Sequence, residues 1–218
     1  RDSADDFVLL GGDVGLPLIN TSLLRLDLYG QAGYRPDDVE GWGIGAPGVA
    51  LKLAMINARV EYRHIKGSFT PGYFGPYYMD ERVTRNPVIT KEETISAQDL
   101  NGVFGSLGMN IANVITVGGS YQYLVGDDGN ATDHRFEVLG SVGESILAKV
   151  PKVSRAEAYL YKTNIGEAVL PDGTPMDDGF FEETPNLYYG YRAGIDISEG
   201  ATIIWDMRYG YQFNENNE

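Results

Sequence analysis

Arginines and carboxylates stand two residues apart again and again in this 218-residue chain. Arg25 precedes Asp27, Arg59 and Arg63 flank Glu61, Arg135 precedes Glu137, Arg155 precedes Glu157, and Asp206 precedes Arg208; Arg192 and Asp196 add a pair four apart. A spacing of two places both members on one face of a β-strand, whereas a helix turns them away from each other. Planar guanidinium forks facing carboxylates in a confined space form directional hydrogen bonds. Rings of such charges in a pore orient and select small solutes. The same pairs can also do no more than neutralise one another and stiffen a wall.

Other chemistries have few residues to work with. There is no Cys, so disulfides, thiolate metal sites and thiol catalysis are excluded. His64 and His134 are the two histidines, and His134 beside Asp127, Asp128 and Asp133 is the one place where a water could be activated. No Ser elbow or paired-carboxylate geometry supports it, so the chain is not expected to be an enzyme or to need a cofactor. Asp127, Asp128, Asn130 and Asp133 offer hard oxygen ligands for calcium, but the run lacks the Gly at the sixth position and the Glu at the twelfth of an EF-hand. Solvated acidic turns are the plainer account. The formal net charge is -14, which repels a phosphodiester backbone and argues against a nucleic-acid partner.

The elements that must carry these charges read as strands almost throughout. Alternating segments cover 8–18, 23–35, 42–53, 58–65, 101–111, 114–125, 135–144, 154–163, 187–197 and 201–213, about ten strands in all. Their lengths approach the roughly 9 to 11 residues that a tilted membrane strand needs. In 23–35, Leu24, Leu26, Leu28, Gly30, Ala32 and Tyr34 share one face, against Arg25, Asp27, Tyr29, Gln31 and Arg35. In 201–213, Ile203, Trp205, Met207, Tyr209, Tyr211 and Phe213 oppose Ile204, Asp206, Arg208 and Gln212. No apolar run approaches the roughly 18 residues of a membrane helix, and the mean hydropathy of -0.23 is that of a polar chain. A membrane β-barrel has such values too, because its apolar residues occupy alternate positions only.

Two further patterns favour lipid against the apolar face. Tyr34, Tyr62, Tyr121, Tyr123, Tyr189, Tyr191, Tyr209, Tyr211 and Phe213 gather at one end of it, as an interfacial girdle does. The connections alternate between tight turns and longer segments, the longest at 66–99 and 164–186, and the long ones fall at the girdle end. On these grounds, together with the aromatic-ended YGYQF at 209–213, the chain resembles the Gram-negative outer-membrane β-barrel class, porin-like in general terms. No specific family is matched.

That resemblance implies an all-β, antiparallel up-and-down transmembrane β-barrel forming one domain over 1–218, in the bacterial outer membrane. It implies a lumen lined by the thirteen charged residues named above, outer-membrane lipid around it, and other copies or envelope proteins meeting the long loops. Counting strands places both termini at the long-loop end, contrary to the usual outer-membrane topology, so either the topology is unusual or the chain is a section of a larger barrel, the second being the favoured expectation. Three functions fit: a passive channel for small solutes, a non-conducting scaffold that binds a partner, or a soluble ligand-binding barrel with its faces inverted.

Overall fold

The computed structural model describes residues 8–36, 40–73, 95, 97–126, 129, 132–170 and 173–211. Ten strands follow in order: β1 (Leu10–Asn20), β2 (Leu24–Arg35), β3 (Gly41–Leu53), β4 (Ile56–Gly67), β5 (Gln98–Ile111), β6 (Ile115–Gly126), β7 (Thr132–Val142), β8 (Val153–Lys162), β9 (Leu187–Ser198) and β10 (Ala201–Gly210). They form one antiparallel sheet in sequence order, each strand bonded to the next. All ten expected strands are present, with ends displaced by up to three residues.

Tight connections at 21–23, 54–55, 112–114 and 199–200 turn the chain at one end. Gly200 takes φ +81°, a left-handed conformation that favours glycine. The connection between β7 and β8 is no tight turn but covers 143–152, because Glu144–Leu147 forms one helical turn, α1. The connections that follow β2, β4, β6 and β8 leave from the other end, where β1 starts and β10 ends. The expected loop asymmetry is therefore present.

Register fixes which side chains share a face. Tyr29, Gly48, Glu61, Phe104, Gln122 and Arg135 form one transverse row across β2 to β7, and Glu157, Arg192 and Asp206 form another across β8 to β10. All charges expected on a common face fall on this polar face. The opposite face is apolar. Among the described strand residues it carries Lys66, Asp99 and Lys162 with His64 and His134, all at the long-loop ends, and no other charged or histidine side chain.

Burial is inverted relative to a water-soluble sheet. Trp205 is 65% exposed, Leu107 61% and Val60 60% on the apolar face, whereas Glu61 on the polar face is 1% exposed. The packed clusters lie on the polar face as well: Ile65, Leu100 and Leu124 with Phe69 toward the loops, and Tyr159 and Tyr161 with Leu139 and Tyr188 on β7 to β9. The sheet is open, since β1 and β10 each pair with one neighbour only. The closed barrel expected from the alternation is not reached among the described residues.

Candidate functional site

Four glycines clear the middle of the polar face. Gly41, Gly43, Gly45 and Gly48 put no side chains on that face of β3, so groups on β2 reach over it to β4. A Cβ at Gly48 would lie 2.5 Å from the Tyr29 ring, which crosses there so that its hydroxyl donates to Glu61 Oε2 at 2.6 Å. Gln31 crosses above Gly45 and donates to both Glu61 oxygens, at 2.9 and 3.0 Å. Arg63 Nε donates to Glu61 Oε1 at 2.6 Å. Four hydrogen bonds thus satisfy a carboxylate whose side chain is fully buried, without which its charge would be costly.

From Arg63 the network continues across the sheet. Arg63 donates to Gln122 Oε1, Gln122 Nε2 donates to Asp133 Oδ2 at 2.8 Å, and Arg135 closes on that same oxygen. The Phe104 ring lies beneath the guanidinium of Arg63 at 3.8 Å and that of Arg59 at 4.8 Å. Arg59 Nε donates to Ser106 Oγ at 3.1 Å. A second cluster occupies β8 to β10. Arg192 Nε and the Tyr159 hydroxyl both donate to Asp206 at 2.8 Å, and Arg155 meets Glu157 at 3.3 Å. Tyr159, Tyr161 and Tyr188 stack, Arg192 lies 4.7 Å over Tyr159, and Arg208 donates to the Tyr161 hydroxyl at 3.4 Å.

Some two-residue pairs form as spaced: Arg25 Nε to Asp27 Oδ2 at 2.7 Å, Arg63 to Glu61, and Arg155 to Glu157. Others are re-sorted by register. Arg59 meets no carboxylate among the described residues, Arg135 bonds Asp133, and Asp206 takes Arg192, its direct cross-strand partner. Cross-strand Cβ atoms stand about 5 Å apart, closer than successive residues on one face of a strand, so register outranks sequence spacing. Glu137 and Asp196 lie on the same face, and Thr202 Oγ1 donates to Asp196 at 2.6 Å.

The tyrosine belt lies on the apolar face at the long-loop end, and sequence reading missed several members. Trp42 packs on His64 at 4.9 Å between ring centroids, the Tyr62 hydroxyl and His64 both meet Asn101 Oδ1, and Tyr34 donates to Glu40. His134 sits edge-on between Tyr121 and Tyr123, so both histidines belong to the belt. Tyr189 stacks on Tyr209 at 5.3 Å and lies 6.3 Å from Tyr211. Phe213 lies outside the described residues.

The described start of the first long connection and the described part of the second lie on opposite faces. Residues 68–73 lie on the polar face, where Phe69 fills the space over Gly33 and Gly43; Asp80, Glu81, Arg82 and Arg85 lie outside the described residues. Residues 163–186 reach the apolar face, with Phe180 5.3 Å from His134 and 5.7 Å from Phe136, and Phe181 77% exposed. Lys162 holds this segment, its side chain fully buried and donating to Asp178, to the Gly179 carbonyl at 2.6 Å and to the Glu182 carbonyl at 3.0 Å. Burial pushes the Asp178 carboxyl up. It is outweighed by donors from Lys162, Asn186, Thr184 and the Ala168 amide, which hold it at about 2.

Asp127, Asp128 and Asn130 lie outside the described residues, and Asp133 is engaged by Gln122 and Arg135. Among the described residues no group of three or more His, Cys, Asp or Glu side chains is placed to hold a metal ion. No known protein-family model matches the chain, and no curated protein does.

Proposed function

We propose that this chain is the wall of an outer-membrane β-barrel, a porin-like channel in which the polar face lines a water-filled lumen and the apolar face meets lipid. One observation carries the reading: away from the long-loop ends, the exposed face of ten strands bears no charge, while the sheltered face bears the Arg and acid network. Lipid tolerates such a face, and water disfavours an apolar surface this extensive. The same solvent demands closure, because an edge strand in hydrocarbon leaves each unpaired backbone group costing several kcal/mol. β1 and β10 run antiparallel to each other, so their free edges suit closure directly or through intervening strands.

In this reading the networks around Glu61 and Asp206 hold fixed charges against a passing solute. Residues 68–73 narrow the mouth at the glycine-lined sector, and the tyrosine belt sits at the lipid headgroups. A non-conducting scaffold is the second reading, supported by Phe181, which stands out from the apolar face.

The test uses the two tryptophans, both on the apolar face: Trp42 in the belt and Trp205 opposite Ala193 on β9. In vesicles of lipids brominated at set depths, Trp205 is expected to be quenched most by bromine deep in the acyl chains and Trp42 by shallow bromine, each read in the variant lacking the other. Quenching of both by aqueous iodide and neither by lipid would sink the membrane assignment and leave the inverted soluble barrel.

A further inference from the structure

On β2 to β6, two neighbouring rows of the polar face differ from the rest. One runs Asp27, Ala50, Arg59, Ser106 and Ser120; the next, toward the short turns, runs Arg25, Lys52, Asn57, Gly108 and Gly118. The small residues leave a trough of about 510 Å³, walled by Arg25, Asp27, Lys52, Asn57, Arg59 and Ser106.

Elsewhere on this face Arg63, Arg135, Arg155 and Arg192 each meet a carboxylate. Here Lys52 has no ion pair or hydrogen bond among the described residues, and Arg59 has the Ser106 hydroxyl and the Phe104 ring. Lys52 is also the direct cross-strand partner of Arg25, and like charges in that position repel. Three cations and one carboxylate thus share a trough in a chain of net charge -14. The carboxylate is half used: Asp27 Oδ2 accepts from Arg25, while its Oδ1 is buried with no donor. An unsatisfied buried acceptor costs free energy that a ligand proton would recover.

We propose that this trough binds a small oxyanion that also carries a proton, inorganic monohydrogen phosphate. Arg25, Lys52 and Arg59 donate to its oxygens, its single P–OH donates to Asp27 Oδ1 once the Asp27 carboxylate turns that buried oxygen toward the trough, and its charge relieves the repulsion between Arg25 and Lys52. Sulfate has no proton to offer at neutral pH and meets the same carboxylate as a like charge. The inference deepens the pore reading and rests on it for access, since the trough opens on the polar face.

Binding is read without conductance, as the unfolding midpoint of the detergent-folded chain in inorganic phosphate, sulfate or chloride at equal ionic strength. Phosphate is expected to raise the midpoint above both other salts, because a ligand of the native state stabilises it. Lys52→Gln and Arg59→Gln each weaken half-saturation by phosphate about tenfold, as loss of a charge-assisted hydrogen bond does. Asp27→Asn removes the preference over sulfate, and Lys149→Gln in the 143–152 connection leaves it intact. Equal shifts in phosphate and sulfate for the unaltered chain overturn the proposal, as does a phosphate shift that survives both Lys52→Gln and Arg59→Gln. A phosphate shift in a chain that conducts no ions supports the trough and sinks the pore; conductance without the shift does the reverse.

Discussion

At the residue scale, Glu61 is the most consequential charge on the polar face, since four hydrogen bonds from Tyr29, Gln31 and Arg63 converge on it. Glu61→Ala leaves the largely buried Arg63 without its carboxylate, and a broken pair of this kind costs about 3 kcal/mol or more. Urea titration in detergent should show the loss, with Arg25→Ala, at an exposed pair, costing far less. A second prediction concerns Asp178. Its carboxyl is held at about 2 in the folded chain, against an ordinary 3.8, so its stabilisation of the 163–186 segment is complete above about pH 4 and is lost as pH falls toward 2. Hydrogen exchange at the Gly166 and Ala168 amides, both bonded to Asp178, should accelerate over that interval, and Asp178→Asn should accelerate it at neutral pH. Much of this scale was illegible in the sequence. Spacing assigned the charges to one face, but the partner of Arg192 is set by a register linking residues 192 and 206, which no local pattern encodes.

At the scale of elements, alternation and turn residues sufficed to find every strand, because a period of two is a local property. The helical turn Glu144–Leu147 was missed since four residues are too few to show a helical period. The belt was found in part: its tyrosines announce themselves, whereas Trp42, His64, Asn101, His134 and Phe136 join it only through register. The glycines of GWGIG, at 41–45, make room for a particular side chain. A Cβ at Gly43 would come within 2.5 Å of the Phe69 ring and one at Gly33 within 2.4 Å. Gly43→Val should therefore expel Phe69 and free residues 68–73, raising protease cleavage between β4 and β5. Combined with Phe69→Ala, it should cost less than the two single changes summed, since the clash is then gone.

For the molecule as a whole, the exposed apolar face and sheltered charges are compatible with folding in detergent or lipid rather than in plain buffer. Boiled and unboiled samples in detergent should run at different positions on a gel, the unboiled form being compact; a single position for a chain that folds in plain buffer would reverse the face assignment. If the polar face lines a pore as proposed, Arg208→Ala should shift the reversal potential in a salt gradient toward cations in planar bilayers, because it removes a positive group from that face. Closure was the one architectural expectation that alternation could not secure, since ten strands alternate equally well in an open sheet and in a wider barrel.

Because the strands pair strictly in the order in which they are made, the sheet is wired like a zipper, and no strand waits for a distant partner before it can dock. The widest gap in that wiring lies between β4 and β5, whose twelve residue pairs run in unbroken register. A covalent link there mainly raises the local concentration of the two halves, and closing so long a loop adds little to stability once the ladder is formed. The chain should therefore tolerate being supplied as two polypeptides divided in that segment. Co-refolded in detergent, the halves should reconstitute one heat-sensitive species through the β4 and β5 edges, whereas a division inside the 199–200 turn should strand β10 as a single hairpin arm with too little surface to rejoin.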